Sequence, residues 1–266
     1  MKIGKTVHDM PELALHAASI VNAVMEQDRR VLLFGPMGVG KSTLAAQLAK
    51  VLSELQRSCC CLNADPGSPA FGVPGSISTA VWRDDSWQVT NIAALCTLDA
   101  GRFRLPLVSA VRMLAQQLPT GMVLIDAPGV VRGVSGRELL QGLVEATAVD
   151  VILALSAADR PPPLLEELRV LPPDVFVVNA AVEAKRPGKR TRARQRTGQW
   201  DACLASATEQ TLDLAGLNVT GTPPLPAESS AWAGKQLALL QADRTLAMGE
   251  VLHIEDDRLM VVLTAE

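Results

Sequence analysis

Gly35-Pro36-Met37-Gly38-Val39-Gly40-Lys41-Ser42-Thr43 decides how this chain folds. Its first eight residues read G-x-x-x-x-G-K-[ST], the pattern of a phosphate-binding loop. The run before it, Val31-Leu32-Leu33-Phe34, is apolar and partly β-branched, which predicts a buried strand. The run after it places Leu44, Leu48, Val51, Leu52 and Leu55 at helical spacing. Strand, glycine loop and helix are the context that the motif requires. The glycines let backbone amides turn inward around phosphate oxygens where Cβ atoms would obstruct. The new helix adds its positive end. Residues Gly35 to Thr43 are thus expected to bind ATP or GTP, with Lys41 reaching the β- and γ-phosphates and the Ser42 hydroxyl on Mg2+. The motif does not say what becomes of the γ-phosphate.

Outward from the loop, helical and strand patterns alternate. A helix is expected from Pro11 to Met25, and a strand from Cys59 to Ala64 that ends at Asp65. A turn-rich stretch follows, Pro66-Gly67-Ser68-Pro69 and Gly72-Val73-Pro74-Gly75. Further expected helices are Leu105 to Leu118, Arg137 to Thr147 and about Gln199 to Leu214. Further expected strands are Met122 to Asp126, Val151 to Leu155 and Val175 to Val178. Such alternation predicts an α/β fold with a doubly wound, mostly parallel sheet flanked by helices. Ligands bind at the carboxyl ends of strands in these sheets. The loop, Asp65 and Asp126 all follow strand ends, so they are expected to share one edge. Beyond Thr220-Gly221-Thr222-Pro223-Pro224-Leu225-Pro226 the pattern predicts three short strands, Lys235 to Gln241, Leu246 to Ile254 and Leu259 to Thr264, with a turn at Asp256-Asp257. The expected division is a nucleotide-binding domain over 1–217 and a small C-terminal β unit over 218–266.

The chain has 266 residues, 48% of them hydrophobic, enough for one large α/β domain with an appendix. No apolar run is long enough to span a bilayer, and no signal-peptide core follows Met1-Lys2-Ile3-Gly4-Lys5, so a cytoplasmic protein with no membrane partner is expected. Cys59, Cys60 and Cys61 are consecutive in an expected strand, Cys96 and Cys203 stand alone, and no CxxC exists, which fits reduced thiols better than disulfides or zinc. Net charge is −3, which argues against a generic nucleic-acid binder. Seven basic residues nevertheless fall between Lys185 and Arg196 with no acid among them: Lys185, Arg186, Lys189, Arg190, Arg192, Arg194 and Arg196. A specific anion site and a solvated surface loop both fit that run. Asp126, after four apolar residues, is expected to hold the metal. Asp65 is either a carboxylate serving the metal and the chemistry or a strand-end cap for the next turn. His8, His16 and His253 lie in none of these motifs.

Four stretches together resemble the polynucleotide 5′-hydroxyl kinases, the family of pre-mRNA cleavage, tRNA-splicing and ribosomal-RNA-processing kinases. Asn63-Ala64-Asp65-Pro66-Gly67-Ser68-Pro69 with Val73-Pro74-Gly75-Ser76-Ile77-Ser78 resembles that family's D-x-D-x-G-Q…P-G-x-[IV]-[ST] segment. Ile125-Asp126-Ala127-Pro128-Gly129-Val130-Val131-Arg132-Gly133 is similar to its N-T-x-G-W-[VI]-x-G stretch. Arg190-Thr191-Arg192-Ala193-Arg194 resembles its arginine-bearing lid, here about 183–200, and Gly234 to Thr264 resembles the β tail of the ribosomal-RNA-processing branch. The resemblance implies a P-loop NTPase fold and transfer of the ATP or GTP γ-phosphate to an RNA or DNA 5′ end. It implies Asp65 as general base near Mg2+ and lid arginines over the triphosphate. Arg190 and Arg194, four apart on one helical face, are candidates for this role, and Arg192 and Arg196 share the same spacing. The chain departs from the family at Asn63 (aspartate), Ser68 (glutamine), Ala127 (the clasp threonine) and Val130 (the tryptophan that stacks on the acceptor base). With 34 residues before Gly35, the separate N-terminal β-domain of the larger members is not expected here. Trp82, Trp87, Trp200 and Trp232 are the tryptophans left to stack on a base.

Two other functions stay open at this level. Asp126-Ala127-Pro128-Gly129 fits the D-x-x-G of a GTPase-like switch working through a protein partner, although Asn179-Ala180-Ala181-Val182 lacks the Lys and Asp of a guanine reader. The lost clasp and stacking residues also fit a non-catalytic nucleotide-binding scaffold.

Overall fold

Val31 to Phe34 is the hub of the sheet because both of its edges are paired. In the computed structural model, which describes residues 11–13, 16–24, 29–157, 160–181, 184–221, 223–225, 228–242, 244–255 and 258–264, it belongs to strand β2 (Arg30–Phe34). Met25, Thr222, Pro226, the Asp256-Asp257 turn and the first position of the expected lid, Glu183, lie outside these residues, as do Val182 and His8. The other strands of this sheet are β1 (Glu12–Leu13), β3 (Cys59–Asn63), β4 (Ser76–Arg83), β5 (Ser86–Ala94), β6 (Met122–Asp126), β7 (Val151–Ser156) and β8 (Asp174–Asn179). Their order is β1-β8-β7-β2-β6-β3-β4-β5. From β1 to β3 all pairs are parallel, and β4 and β5 add an antiparallel edge. Asp84 and Asp85 join β4 to β5 with φ of 50° and 56°, the two left-handed residues of a tight hairpin turn. The sequence patterns had not predicted these two strands.

Successive residues of the central strands face opposite layers. Leu32, Phe34, Leu62 and Ile125 pack with Leu107 and Val111 of α3 (Arg104–Ala115) and Leu139 and Leu143 of α4 (Gly133–Thr147). Val31, Leu33, Cys59, Cys61 and Leu124 pack with Ile20 of α1 (Ala17–Val24) and Leu44, Leu48 and Leu52 of α2 (Lys41–Glu54). This is the doubly wound arrangement expected. The three consecutive cysteines are buried strand residues, and burial pushes their thiols up in pKa, so they are packing groups rather than nucleophiles.

Two expected helices differ. The one expected from Pro11 begins only at Ala17, because Glu12 and Leu13 pair with Val177 and Val178 and cover the outer edge of β8. The one expected from Gln199 to Leu214 lies earlier, following the short α5 (Leu165–Val170), as α6 (Lys189–Leu204), and Thr208–Asp213 is strand β9. β9 is recruited by the free edge of β12 (Arg258–Leu263), and that tertiary pairing overrides helix propensity.

The chain separates into compact units Met1–Ala193 and Arg194–Glu266. The second contains a four-stranded antiparallel sheet, with β10 (Gln236–Gln241) and β11 (Arg244–Glu255) in the order β10-β11-β12-β9. Because β9 precedes the turn-rich stretch, this unit begins earlier than the expected residue 218. Trp232 is buried in its core with Ile254 and Val261, and its indole N–H donates to the Leu225 carbonyl at 3.1 Å. Leu48 is fully buried between α2 and the sheet. Leu48→Ala is expected to lower unfolding free energy by about 2–5 kcal/mol in urea denaturation, with nucleotide affinity retained below the transition.

Candidate active site

The register of the parallel strands brings four strand ends to one edge. Leu33 pairs with Asp126, and Asp126 pairs with Asn63. β2 then runs into the glycine loop, β3 into Asp65, and β7 ends at Ser156 beside it. Gly38 and Gly40 hold φ of 82° and 97°, a conformation that a side chain strains. A Cβ at Gly38 would also meet the Arg186 backbone nitrogen at 2.6 Å, so the start of the basic segment lies directly on the loop. On its other flank, a Cβ at Gly129 would meet the Met37 amide nitrogen at 2.6 Å. The loop is thus held between the segment after β6 and the segment before α6.

Lys41 is buried, and its ammonium donates to the carbonyl oxygens of Gly35 at 2.9 Å and Pro36 at 3.1 Å. Burial lowers its pKa, opposed by the charges of Asp126 and Asp65. Ser42 donates its hydroxyl proton to Asp126 Oδ2 at 2.5 Å. Asp126 is buried, and burial lifts its pKa to about 6 against the Lys41 charge and the Ser42 hydrogen bond, with Asp65 adding to the rise. Asp65 is half-buried, and its Oδ1 accepts the backbone N–H groups of Gly67 at 2.9 Å and Ser68 at 3.2 Å. Burial raises its pKa as well. The two N–H groups and the charges of Lys41 and Arg192 pull it back down. The turn-capping geometry and proximity to the loop lysine therefore coexist in Asp65.

The basic segment divides. The Arg192 guanidinium is half-buried and donates through Nη1 to the Met37 thioether at 3.2 Å. Arg190 and Arg194 are exposed, and Arg194 opens the second compact unit. Of the candidate lid arginines, Arg192 is thus the one seen against the loop. Thr43 is exposed on the first turn of α2. Ser156, absent from the sequence-based candidates, is buried at the edge with its hydroxyl unpartnered among the described residues. No motif carries it, and only the position of β7 beside β2 reveals it.

The edge suits a hard cation and phosphate oxygens. Asp126 Oδ1 is buried without a donor among the described residues, and the Ser42 hydroxyl stands beside its other oxygen. No group of three or more His, Cys, Asp or Glu residues forms a metal cage there or elsewhere among the described residues. A cation would therefore share one hydroxyl and one carboxylate with ligand oxygens, which is how Mg2+ rather than Zn2+ is held.

The family model for the P-loop of the mRNA cleavage and polyadenylation factor Clp1 matches residues 35–95, which run from Gly35 through Asp65 and β5. That match takes in the phosphate loop and the Asp65 segment and about a quarter of the chain. It is similar to a polyribonucleotide 5′-hydroxyl kinase of Pyrococcus furiosus, 25% identical over 233 residues, 84% of this chain and 64% of that protein. It is also similar to the factor clp1 of Botryotinia fuckeliana, 26% identical over 158 residues, 48% of this chain and 34% of that one. The chain thus spans about one third to just under two thirds of these curated relatives. Two solved structures of Clp1p with Pcf11p share the fold, with TM-scores of 0.73 and 0.68 at 16% identity. They cover 91% and 93% of this chain and 72% and 73% of theirs. No helix among the described residues is long and apolar enough to cross a membrane.

The raised pKa of Asp126 sets a stability test. Between the unfolded value and about 6 the folded chain keeps a proton that the unfolded chain has released. Ionising Asp126 therefore removes stability as pH rises through about 6. Asp126→Asn is expected to stabilise the protein at pH 8 by an amount on the order of 3 kcal/mol, with the gain gone near pH 4. Thermal unfolding across that range checks it, and an equal effect at both ends would contradict the ionisation argument.

Proposed function

We propose that this protein transfers the γ-phosphate of ATP or GTP to the 5′-hydroxyl of an RNA or DNA end. The observation that carries the reading is the gathering of Lys41, Asp65 and Arg192 charges around one phosphate-loop edge. The name of the Pyrococcus furiosus relative supports the acceptor class. Lys41 would exchange its loop carbonyls for phosphate oxygens. Asp65, held in place by two backbone N–H groups and with a pKa that burial raises, would take the proton of the attacking hydroxyl. The Arg192 guanidinium, planar and always charged, would stabilise charge spreading over the transferred phosphoryl oxygens. Mg2+ held by Ser42 and Asp126 would neutralise phosphate charge. The reading keeps the chain in the cytoplasm, where its buried thiols stay reduced.

A second reading, a nucleotide switch acting through a protein partner, has one observation in its favour. Gly129 abuts Met37, so an event at the phosphate loop would reach the segment after β6. The solved Clp1p structures contain a partner, Pcf11p.

The experiment is γ-labelled ATP with 5′-hydroxyl RNA or DNA oligomers. Labelling is expected from the wild type and expected to vanish in Lys41→Ala and Asp65→Asn. Arg192→Ala is expected to lower kcat by about 10³–10⁵, the worth of a transition-state arginine, whereas Arg190→Ala leaves it close to wild type. Robust labelling by Asp65→Asn would remove Asp65 as base. Nucleotide turnover indifferent to any acceptor would favour the switch.

A further inference from the structure

The stretch that packs on the Asp65 turn leads, five residues on, to an exposed aromatic that no step above uses. A Cβ at Gly67, whose amide holds Asp65 Oδ1, would meet the Leu98 carbonyl oxygen at 2.7 Å. The stretch starting at Leu98 therefore rests against the Asp65 turn. It is a built turn. Asp99 accepts the Arg102 amide on its carboxylate at 3.0 Å and the Phe103 amide on its carbonyl at 3.1 Å. Arg104 fastens it to the start of α4, donating to the Gly101 carbonyl, to Ser135 Oγ at 3.1 Å and to Glu138 at 2.6 Å. Val130, four residues after Asp126, closes the other side, 3.6 Å from the position of a Cβ on Gly101.

On this scaffold Phe103 is 39% exposed, with Leu105 at 86% and Val134 at 63%. The Arg102 guanidinium carbon lies 5.5 Å from the Phe103 ring centroid. Arg102 and Arg132 are exposed, and neither is in an ion pair among the described residues. Trp82 and Trp87, by contrast, face each other edge-on at 4.9 Å, and Trp87 also meets Phe71, so neither presents a free platform. A ring 39% exposed with a guanidinium over it, on a stretch whose start packs against the Asp65 turn, has the chemistry of a single-stranded nucleic-acid contact. The ring stacks on a base, and the guanidinium groups meet phosphates.

We propose that Phe103 is the stacking platform for the base at the 5′ end of a single-stranded polynucleotide, with Arg102 and Arg132 taking its backbone phosphates. This rests on the kinase reading for its purpose and on the surface alone for its binding. The test follows binding and turnover separately, using a 3′-fluorescent 5′-hydroxyl RNA and the same RNA with an abasic 5′-terminal sugar. Phe103→Ala is expected to weaken anisotropy-measured binding and raise the acceptor KM about ten- to a hundred-fold, with the KM for ATP unmoved. Phe103→Trp is expected to retain both, and the abasic RNA to bind wild type and Phe103→Ala alike. Phe103-dependent binding without phosphorylation would uphold the platform and remove the kinase reading. RNA binding and KM indifferent to Phe103→Ala, as a protein-docking surface would give, overturn the proposal, and so does a wild type that does not bind the RNA.

Discussion

Three charges held at one sheet edge, Lys41, Asp126 and Asp65, are the constraint on which the rest of this molecule depends. Each is drawn away from water, and an isolated ion in such a place would be costly. They are tolerable only together. The Lys41 charge opposes the upward push on both carboxyls, and the two carboxylates oppose the downward push on Lys41. The parallel sheet makes this possible, because its strands all end on one side and deliver their following residues to one place. The balance is incomplete, and every net shift still favours the neutral form. A site with cationic and anionic groups short of their preferred ionisation is one that a triphosphate and its cation can complete.

Asn63 shows how tightly that balance is set. It pairs in register with Asp126 and is fully buried. An aspartate there would place another carboxylate beside one whose pKa is already raised, with only one buried lysine to offset them. The neutral amide avoids that repulsion and leaves its Nδ2 as an unpartnered buried donor among the described residues. A neutral Asn63 is thus consistent with its neighbours. The Ser42–Asp126 hydrogen bond then ties the first turn of α2 to the end of β6, holding the loop against that carboxylate.

Much of this is legible in the sequence itself. The loop, its flanking strand and helix, and the strand-end positions of Asp65 and Asp126 follow from local pattern, because β2, β3, β6 and β7 are buried on both faces and so are continuously apolar. The edge elements were not legible. β1 is two residues long, and Thr208–Asp213 is polar and largely exposed, so neither has a burial pattern of its own. Both exist because a neighbouring strand has an unpaired edge. The β4–β5 hairpin was missed for a related reason: Ser76 to Arg83 mixes polar with apolar residues, although its first five are buried.

The amino-acid order alone determined the phosphate loop, the doubly wound architecture and the two acids that end their strands. These depend on neighbours within a few residues, on glycine conformations and on the two-residue period of a strand. Tertiary structure alone decided that Arg192 rather than Arg190 reaches the loop, that Ser156 lies at the same edge, and that Phe103 stands exposed on the stretch whose start packs against the Asp65 turn. A run of seven similar cations carries no internal signal for which one faces a partner. A strand-end serine or a loop phenylalanine acquires a role only from what the chain folds against it. Distances across the sheet edge are set by register and packing, and neither is written in local sequence.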